Sequence, residues 1–374
     1  MYSLVSQPRL LPIVSGNLSE DQTFLFHHFF YTLSRLIVSA SDDSINVYRN
    51  VIIPMAFSCP DVLDSLLLLA ATHLSSRYDK FTRHNAVYKG RVLRALIRRL
   101  ETDKDLSDIS TLTTIIMLSI NEVFEANSPS DWVKHLVAAG KIVTPYLSHC
   151  RSSDKDMRMI LDIFTYHNVL ALISTGQPSL FTDIYYQDSR WASLTGQRTA
   201  FLASVDALLS IAAQISCLIA DRTNLVANQP HTASQLRHKL ELWSPPDAIP
   251  DDFRNTGEAM RHAALLMLQK SNQSLGIDFV SCSRAVISHL RLVPIESSTV
   301  ASHLWPLFMA GSCLTDGGAS ACQRDRYFVR ERLVLMEARR GFRTVEVVKA
   351  RLERMWCSSD MEIPFVEEGP MILY

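Results

Sequence analysis

The chain is short of glycine, with 12 in 374 residues, against a typical share of ~7%. Few glycines means few positive-φ turns, which argues against a sandwich or barrel assembled from hairpins. Its seven cysteines (Cys59, Cys150, Cys217, Cys282, Cys313, Cys322 and Cys357) are scattered, odd in number, and never spaced Cys-x-x-Cys. Structural zinc sites draw their thiolates from closely spaced pairs, so neither a zinc ribbon nor a binuclear zinc cluster can be written on these residues. Dispersed thiols in a large apolar chain read as reduced core residues of an intracellular protein. There is no excess of positive charge either. The formal net charge is −1, whereas a chain that grips nucleic acid by itself normally carries a basic patch to neutralise phosphate. The longest apolar runs, Leu66 to Ala71 among them, fall far short of the ~18 residues that span a bilayer. Pro8, Arg9 and Pro12 interrupt the N-terminus, so no secretory leader is read there. The expectation is a soluble protein.

The familiar chemical motifs are missing too. No His-Glu-x-x-His is present to put two imidazoles on one helix face, and no Gly-x-Ser-x-Gly elbow or Gly-x-Gly-x-x-Gly loop occurs. Gly140-Lys141 lacks the upstream glycine and the following hydroxyl of a phosphate loop, and Ser152-x-x-Lys155 has no companion motif. Asp42-Asp43 and Asp251-Asp252 are the only paired aspartates, without the further acids by which an isoprenoid cyclase holds magnesium on diphosphate. No catalytic residue, cofactor or metal is assigned.

What is present is a succession of amphipathic segments. From Gln22, Phe26, Phe29, Phe30, Leu33 and Ile37 recur at helical spacing. Asp61 to Ser75 is apolar nearly all round, as befits a helix in the middle of a bundle. Asn85 to Leu100 sets Leu93, Leu96, Ile97 and Leu100 opposite Arg91, Arg94 and Arg98, with Arg99 beside them, and these arginines read as a solvated face. Asp108 to Phe124 and a helix striped by Trp132, Leu136, Ala139, Val143 and Leu147 follow, the latter expected to bend or shorten at Pro145. Further helices are expected at about 155–174, 198–221, 257–274, 281–291, 302–315, 325–340 and 343–357. Pro178 to Gly196 is aromatic and turn-rich, and proline-rich Asn228 to Asp252 reads as a long exposed loop. No strand-like alternation persists. The fold class is all-α, with residues 1–22 as a flexible tail and 23–374 as one large helical bundle or two helical lobes.

The order of these segments carries a resemblance. HHFFYTLSRL, then PMAFSCPDVLDSLLLLAATHLSSRY, VYKGRVLRAL, TTIIMLSINEVFE and DWVKHLVAAGKIV follow one another. HLWPLFMAGSCL, RDRYFVRERL and VVKARLERMW come near the C-terminus. The set, with Trp132-x-x-His135-Leu136, Trp305-Pro306 and Trp356 in register, resembles the regulatory middle-homology domain of fungal binuclear zinc-cluster transcription factors over about residues 23 to 360. The resemblance implies a helical regulatory domain in the nucleus that acts through protein partners (transcription machinery or a zinc-cluster paralogue) or a small-molecule effector, including control of metabolic genes. The six-cysteine DNA reader of that family is not written on these residues, so direct DNA binding is not expected. A second reading is a family domain recruited as a secondary-metabolite pathway enzyme or small-molecule binder.

Individual residues have plainer readings beside these. Trp132, Trp305 and Trp356 lie on apolar stripes where an indole anchors a bundle. His135, one turn after Trp132, reads first as a hydrogen-bonded structural histidine. Trp132, His135 and Trp305 are nevertheless the candidates for an effector contact. His27 and His28 point apart on a helix, and His73 reads as a satisfied core or boundary residue. The seven arginines from Arg324 to Arg343, interleaved with Asp325, Glu331 and Glu337, form a solvent, inter-lobe or partner face. One expectation is directly measurable. The isolated chain should show no salt-dependent DNA affinity in an anisotropy titration, and tight, sequence-selective binding would contradict it.

Overall fold

The computed structural model describes residues 18–38, 46–102, 108–128, 131–149, 155–175, 200–220, 229–314 and 320–357. The N-terminal tail up to residue 17 and the whole aromatic 178–196 segment lie outside these. Among the described residues every regular element is helical, so the chain is all-α.

Helix α1 (Glu20–His28) begins at Ser19, whose hydroxyl accepts from the Gln22 amide while the Gln22 side chain takes the Ser19 amide. That reciprocal pair satisfies two otherwise orphaned donors. The chain continues through a π-helical turn, Phe29–Leu33. After a second π turn, Tyr48–Ile52, and a short helix, Ile53–Ser58, extended Cys59 hands over to α2 (Pro60–Ser75). Pro60 suits the first turn, where the missing amide costs nothing. Next come α3 (Thr82–Thr102), α4 (Ile109–Glu125), α5 (Asp131–His149) and α6 (Lys155–Thr175), with α4 capped by Asp108 on the Ser110 amide. α5 runs on past Pro145 to His149.

The second half holds α7 (Ala200–Ala220), α8 (Gln229–Leu242), α9 (Asp251–Ser271), α10 (Phe279–Arg291), α11 (Leu304–Gly311), α12 (Ser320–Arg340) and α13 (Arg343–Cys357). Phe201–Ala220 of α7 is long and apolar enough to cross a membrane by length and composition. The uninterrupted runs weighed in the sequence missed it, because single polar residues such as Ser204 and Asp206 break its continuity without cancelling its hydropathy. Here Phe201, Val205, Leu208 and Ala212 are buried, and α7 packs on α6, α8 and α9.

α2 and α4 lie at the centre of the first half, with α1 and α3 on α2 and α5 and α6 on α4. α9 plays that part in the second half, contacting α7, α8, α10 and α11. α12 packs on α10 and α11, and α13 returns to both α11 and α4. One continuous apolar core results, from Leu25 through Leu352. Gly311 makes the α11–α13 approach close: a Cβ there would stand 2.9 Å from Leu352 Cδ1. The Trp356 indole N–H donates to the Gly311 carbonyl at 2.9 Å.

Two expectations are corrected. The span 228–252 is not one loop, since α8 occupies its first part and buries Ala233, Leu236 and Leu240. Pro230 sits in its first turn, where no intrahelical donor is lost. On α3 the buried face is Tyr88, Val92, Ala95 and Leu96, while Leu93, Ile97 and Leu100 are 37%, 52% and 53% exposed. Ion pairs at each end anchor that rotation. Lys89 Nζ reaches Glu122 at 2.8 Å and Glu125 at 2.7 Å. Arg99, on the same face, reaches Asp61 and Asp108 at 2.8 Å each, and bonds Ser110 and Thr111. Apolar spacing alone fitted either face.

The Lys89 cluster extends inward. Thr72 donates to Asn121 Oδ1 at 2.6 Å, and Asn85 and Asn121 both donate to Glu125. Lys89→Met would leave two mostly buried carboxylates without their cation. Because Lys89 is 27% exposed, the cost is discounted to about 1–3 kcal/mol at neutral pH. Burial holds the Glu122 carboxyl above its usual range, so the deficit in urea unfolding should shrink towards pH 5. An unchanged midpoint at pH 7 would contradict this role.

Candidate functional site

The two π turns flank a cavity. A π turn inserts a residue into the helical repeat and recurs at functional positions. Ile37 and Val38, beyond the first turn, and Val47 and Tyr48, at the second, form one wall. Ile120, Val123 and Phe124 of α4 form another, and Met159, Asp162, Ile163, Tyr166 and His167 of α6 a third. Met336, Arg340, Phe342, Thr344 and Val345, with Leu202 and Ala301, complete it. The cavity volume is about 90 Å³, below the ~300–1,000 Å³ of small-molecule sites, so a drug-sized occupant requires the walls to part.

The wall is mainly apolar, and its few polar groups are well defined. Arg340 is buried and donates Nη1 to the Leu36 carbonyl at 2.6 Å. Among the described residues no carboxylate pairs with it. Burial lowers its pKa to about 10, partly opposed by Tyr166, so it stays cationic at neutral pH. Tyr166 shares a 2.8 Å bond with Ser302, and burial raises its phenol. Burial also raises the Tyr48 phenol and holds His167 down at about 3, so that imidazole is neutral. Thr344 Oγ1 is buried without a hydrogen-bond partner, a state that costs ~1–3 kcal/mol unless something else accepts or donates there. With its walls parted, the arrangement presents a fixed cation and a hydroxyl to the polar end of an apolar molecule.

One turn of chain closes this wall: Arg340–Gly341–Phe342, between α12 and α13. His73 Nε2 lies 2.6 Å from the Arg340 carbonyl. A carbonyl only accepts, so Nε2 carries the proton, and His73 Nδ1 then accepts from His28 Nε2–H at 2.8 Å. Arg77 donates to the Ala338 carbonyl at 2.5 Å. Gly341 has φ +66, and a Cβ on it would meet His73 Nε2 at 3.2 Å. Phe342 stacks on Phe124 with centroids 4.1 Å apart. His73 is thus the satisfied buried residue the sequence indicated, and His28 is its donor.

The three effector candidates lie elsewhere. Trp132 is fully buried on α5, its carbonyl accepting from Ser119 at 3.0 Å. His135 is half-buried, 3.9 Å from Glu122, and burial lowers its pKa, helped by Lys89. Trp305 is buried on α11 with no hydrogen bond to its indole N–H. None of the three lines the cavity. The arginine cluster divides: Arg332 and Arg340 are buried, Arg330 forms a two-bond pair with Glu353 at 2.5 and 2.7 Å, and Arg326 donates to the Leu314 carbonyl at 2.6 Å. It works chiefly as an interface between helices. Sequence reasoning missed Asp162, Tyr166, His167, Arg340 and Thr344. The available signal was polar and aromatic residues within α6, which is otherwise apolar.

The model of the fungal-specific transcription factor domain matches residues 24–366. The chain belongs to that family. Sterol uptake control protein 2 of Saccharomyces cerevisiae is 25% identical over 142 residues, 34% of this chain. The match spans only 16% of that protein's length. No solved structure matches. Family and relative together support a regulator-like role.

The closing turn should respond to acid. His28 is held at about 3, chiefly by burial, then by His73 and Arg77; burial holds His73 at about 4, opposed by its bond to Arg340. In the unfolded chain both take up a proton below about pH 6.5. The folded protein resists it until pH 3–4, so their contribution is full above pH 6.5 and falls away below it. Stability should drop by on the order of 1–2 kcal/mol per histidine by pH 5. His28→Gln should flatten the pH dependence of urea unfolding between pH 7 and 5; an unchanged slope would contradict the relay.

Proposed function

We propose that this chain is an effector-sensing regulatory domain: an apolar small molecule bearing an oxygen acceptor enters by parting the walls of the cavity, and the α12–α13 turn transmits its presence. The observation that carries the reading is the buried pair Arg340 and Thr344, a cation without a carboxylate partner and a hydroxyl without any, both set in an apolar wall. Buried polar groups in such a setting are normally satisfied, and a ligand oxygen would satisfy both. The yeast relative is named for control of sterol uptake, which makes sterols the first class to try, with long-chain carboxylic acids second. In this reading the domain works in the nucleus, against transcription machinery or a zinc-cluster paralogue, and controls metabolic genes. A second reading, chemistry on the bound molecule, draws on Asp162, Tyr166 and neutral His167 sharing the same wall.

The test is direct binding of a fluorescent sterol and a fluorescent fatty acid, compared with Ala301→Phe, which puts a ring into the cavity. At least one probe should bind, and Ala301→Phe should weaken it tenfold or more while keeping a cooperative melt. Binding of neither probe, or binding unaffected by Ala301→Phe, would count against the reading. Conversion of a bound probe would move the function to catalysis.

A further inference from the structure

A second cluster lies away from the cavity, where α9 and α10 pack along each other. Glu258 and His262 are four apart on α9 and so share a face, and His289 faces them from α10. One ligand atom from each of these three falls within 4.8 Å of the others. The imidazoles lie nearly parallel, 21° apart with centroids at 6.0 Å. We propose that Glu258, His262 and His289 form a binding site for a divalent transition metal, with zinc the best match to the donor set.

The hydrogen bonds prepare the donors. Asn255 Nδ2 donates to the Asp251 carbonyl at 2.8 Å, which turns Asn255 Oδ1 towards His289. His289 Nδ1 sits 3.0 Å from that oxygen and must therefore carry its proton. The lone pair is left on Nε2, the tautomer a metal takes. A ligating imidazole held through its other nitrogen is the usual outer support of metal sites. His262 Nε2 accepts from Arg261, so Nδ1, buried with no hydrogen-bond partner, carries the proton and Nε2 the lone pair a metal would take. Two imidazoles and a carboxylate suit zinc, with a fourth position for water. Zinc–ligand bonds of ~2.0–2.2 Å set tetrahedral donors about 3.3 Å apart, so closure by at most about 1.5 Å is needed.

Arg261 is the metal's competitor. Its Nε donates to Glu258 at 2.8 Å and its Nη2 to His262 Nε2 at 3.0 Å. A guanidinium donates only, so it holds the same carboxylate and imidazole lone pair that a metal would take. Metal uptake requires it to swing aside, which its half-buried position allows. The site then pins α9 to α10 and exchanges one cation for another.

The experiment uses the full chain without a histidine tag, treated with chelator, desalted and titrated with zinc against a chromophoric competitor. Cobalt is added in parallel for its visible absorption. One equivalent should bind, His289→Ala should weaken it at least tenfold, and Arg261→Gln should tighten it about tenfold. Zinc should raise the melting temperature of the parent chain but not of His289→Ala. No binding tighter than about 100 µM, or binding that His289→Ala leaves unchanged (metal on the scattered thiols), overturns the proposal. If His289→Ala fails to fold, Arg261→Gln still decides: equal or weaker affinity than the parent rejects the site.

Discussion

The docking of one turn, Arg340–Gly341–Phe342, holds the two halves of this protein to a common cavity. Three interactions seat it: a histidine relay that ends on a backbone carbonyl, a guanidinium on the preceding turn of α12, and an aromatic stack on α4. None is large alone. A net hydrogen bond contributes ~0.5–1.5 kcal/mol, and an aromatic pair a similar amount beyond its buried area. Together they place Arg340 over an apolar space, where its charge is costly to leave unanswered. The same turn needs a left-handed residue, and Gly341 supplies it in one of the chain's few glycines. A wall built from several modest contacts can report on what lies behind it, because an occupant needs to shift that balance only slightly.

Ion pairs at both ends of α3 anchor the rotation it adopts. The apolar residues of α3 are spaced so that two faces fit them, and only one is buried. Lys89 and Arg99 hold the one that reaches α2 and α4. Between them the Thr72–Asn121–Glu125 network satisfies the polar groups that this choice buries. The arginines of α12 do similar work in the second half, against Glu353 and the carbonyls of Leu314 and Val293.

The all-α class was readable from scarce glycine and from helical spacing, and so were most helices and the family. Long elements such as α2 and α4 carry their periodicity within themselves. Failures came where a local pattern had two solutions. Pro230 signalled a loop but also fits a first turn, and the apolar residues of α3 marked two faces. α7 was apolar enough in composition although no uninterrupted run showed it. The site was largely illegible. Arg340, Thr344, Tyr166 and Val47 are distant in sequence and meet only through tertiary packing. The tryptophans that stood out, Trp132 and Trp305, were conspicuous because they fill the core. The Glu258–His262–His289 group was equally hidden, since its third member comes from a neighbouring helix.

The most direct measurement of the central claim is amide hydrogen exchange with and without a saturating apolar ligand. Slowed exchange concentrated at Gly341–Val345, Val47–Tyr48 and the facing turns of α4 and α6 is the predicted result. Unchanged exchange there, or protection confined to helices remote from the closing turn, would contradict a cavity whose occupant is read out through α12 and α13.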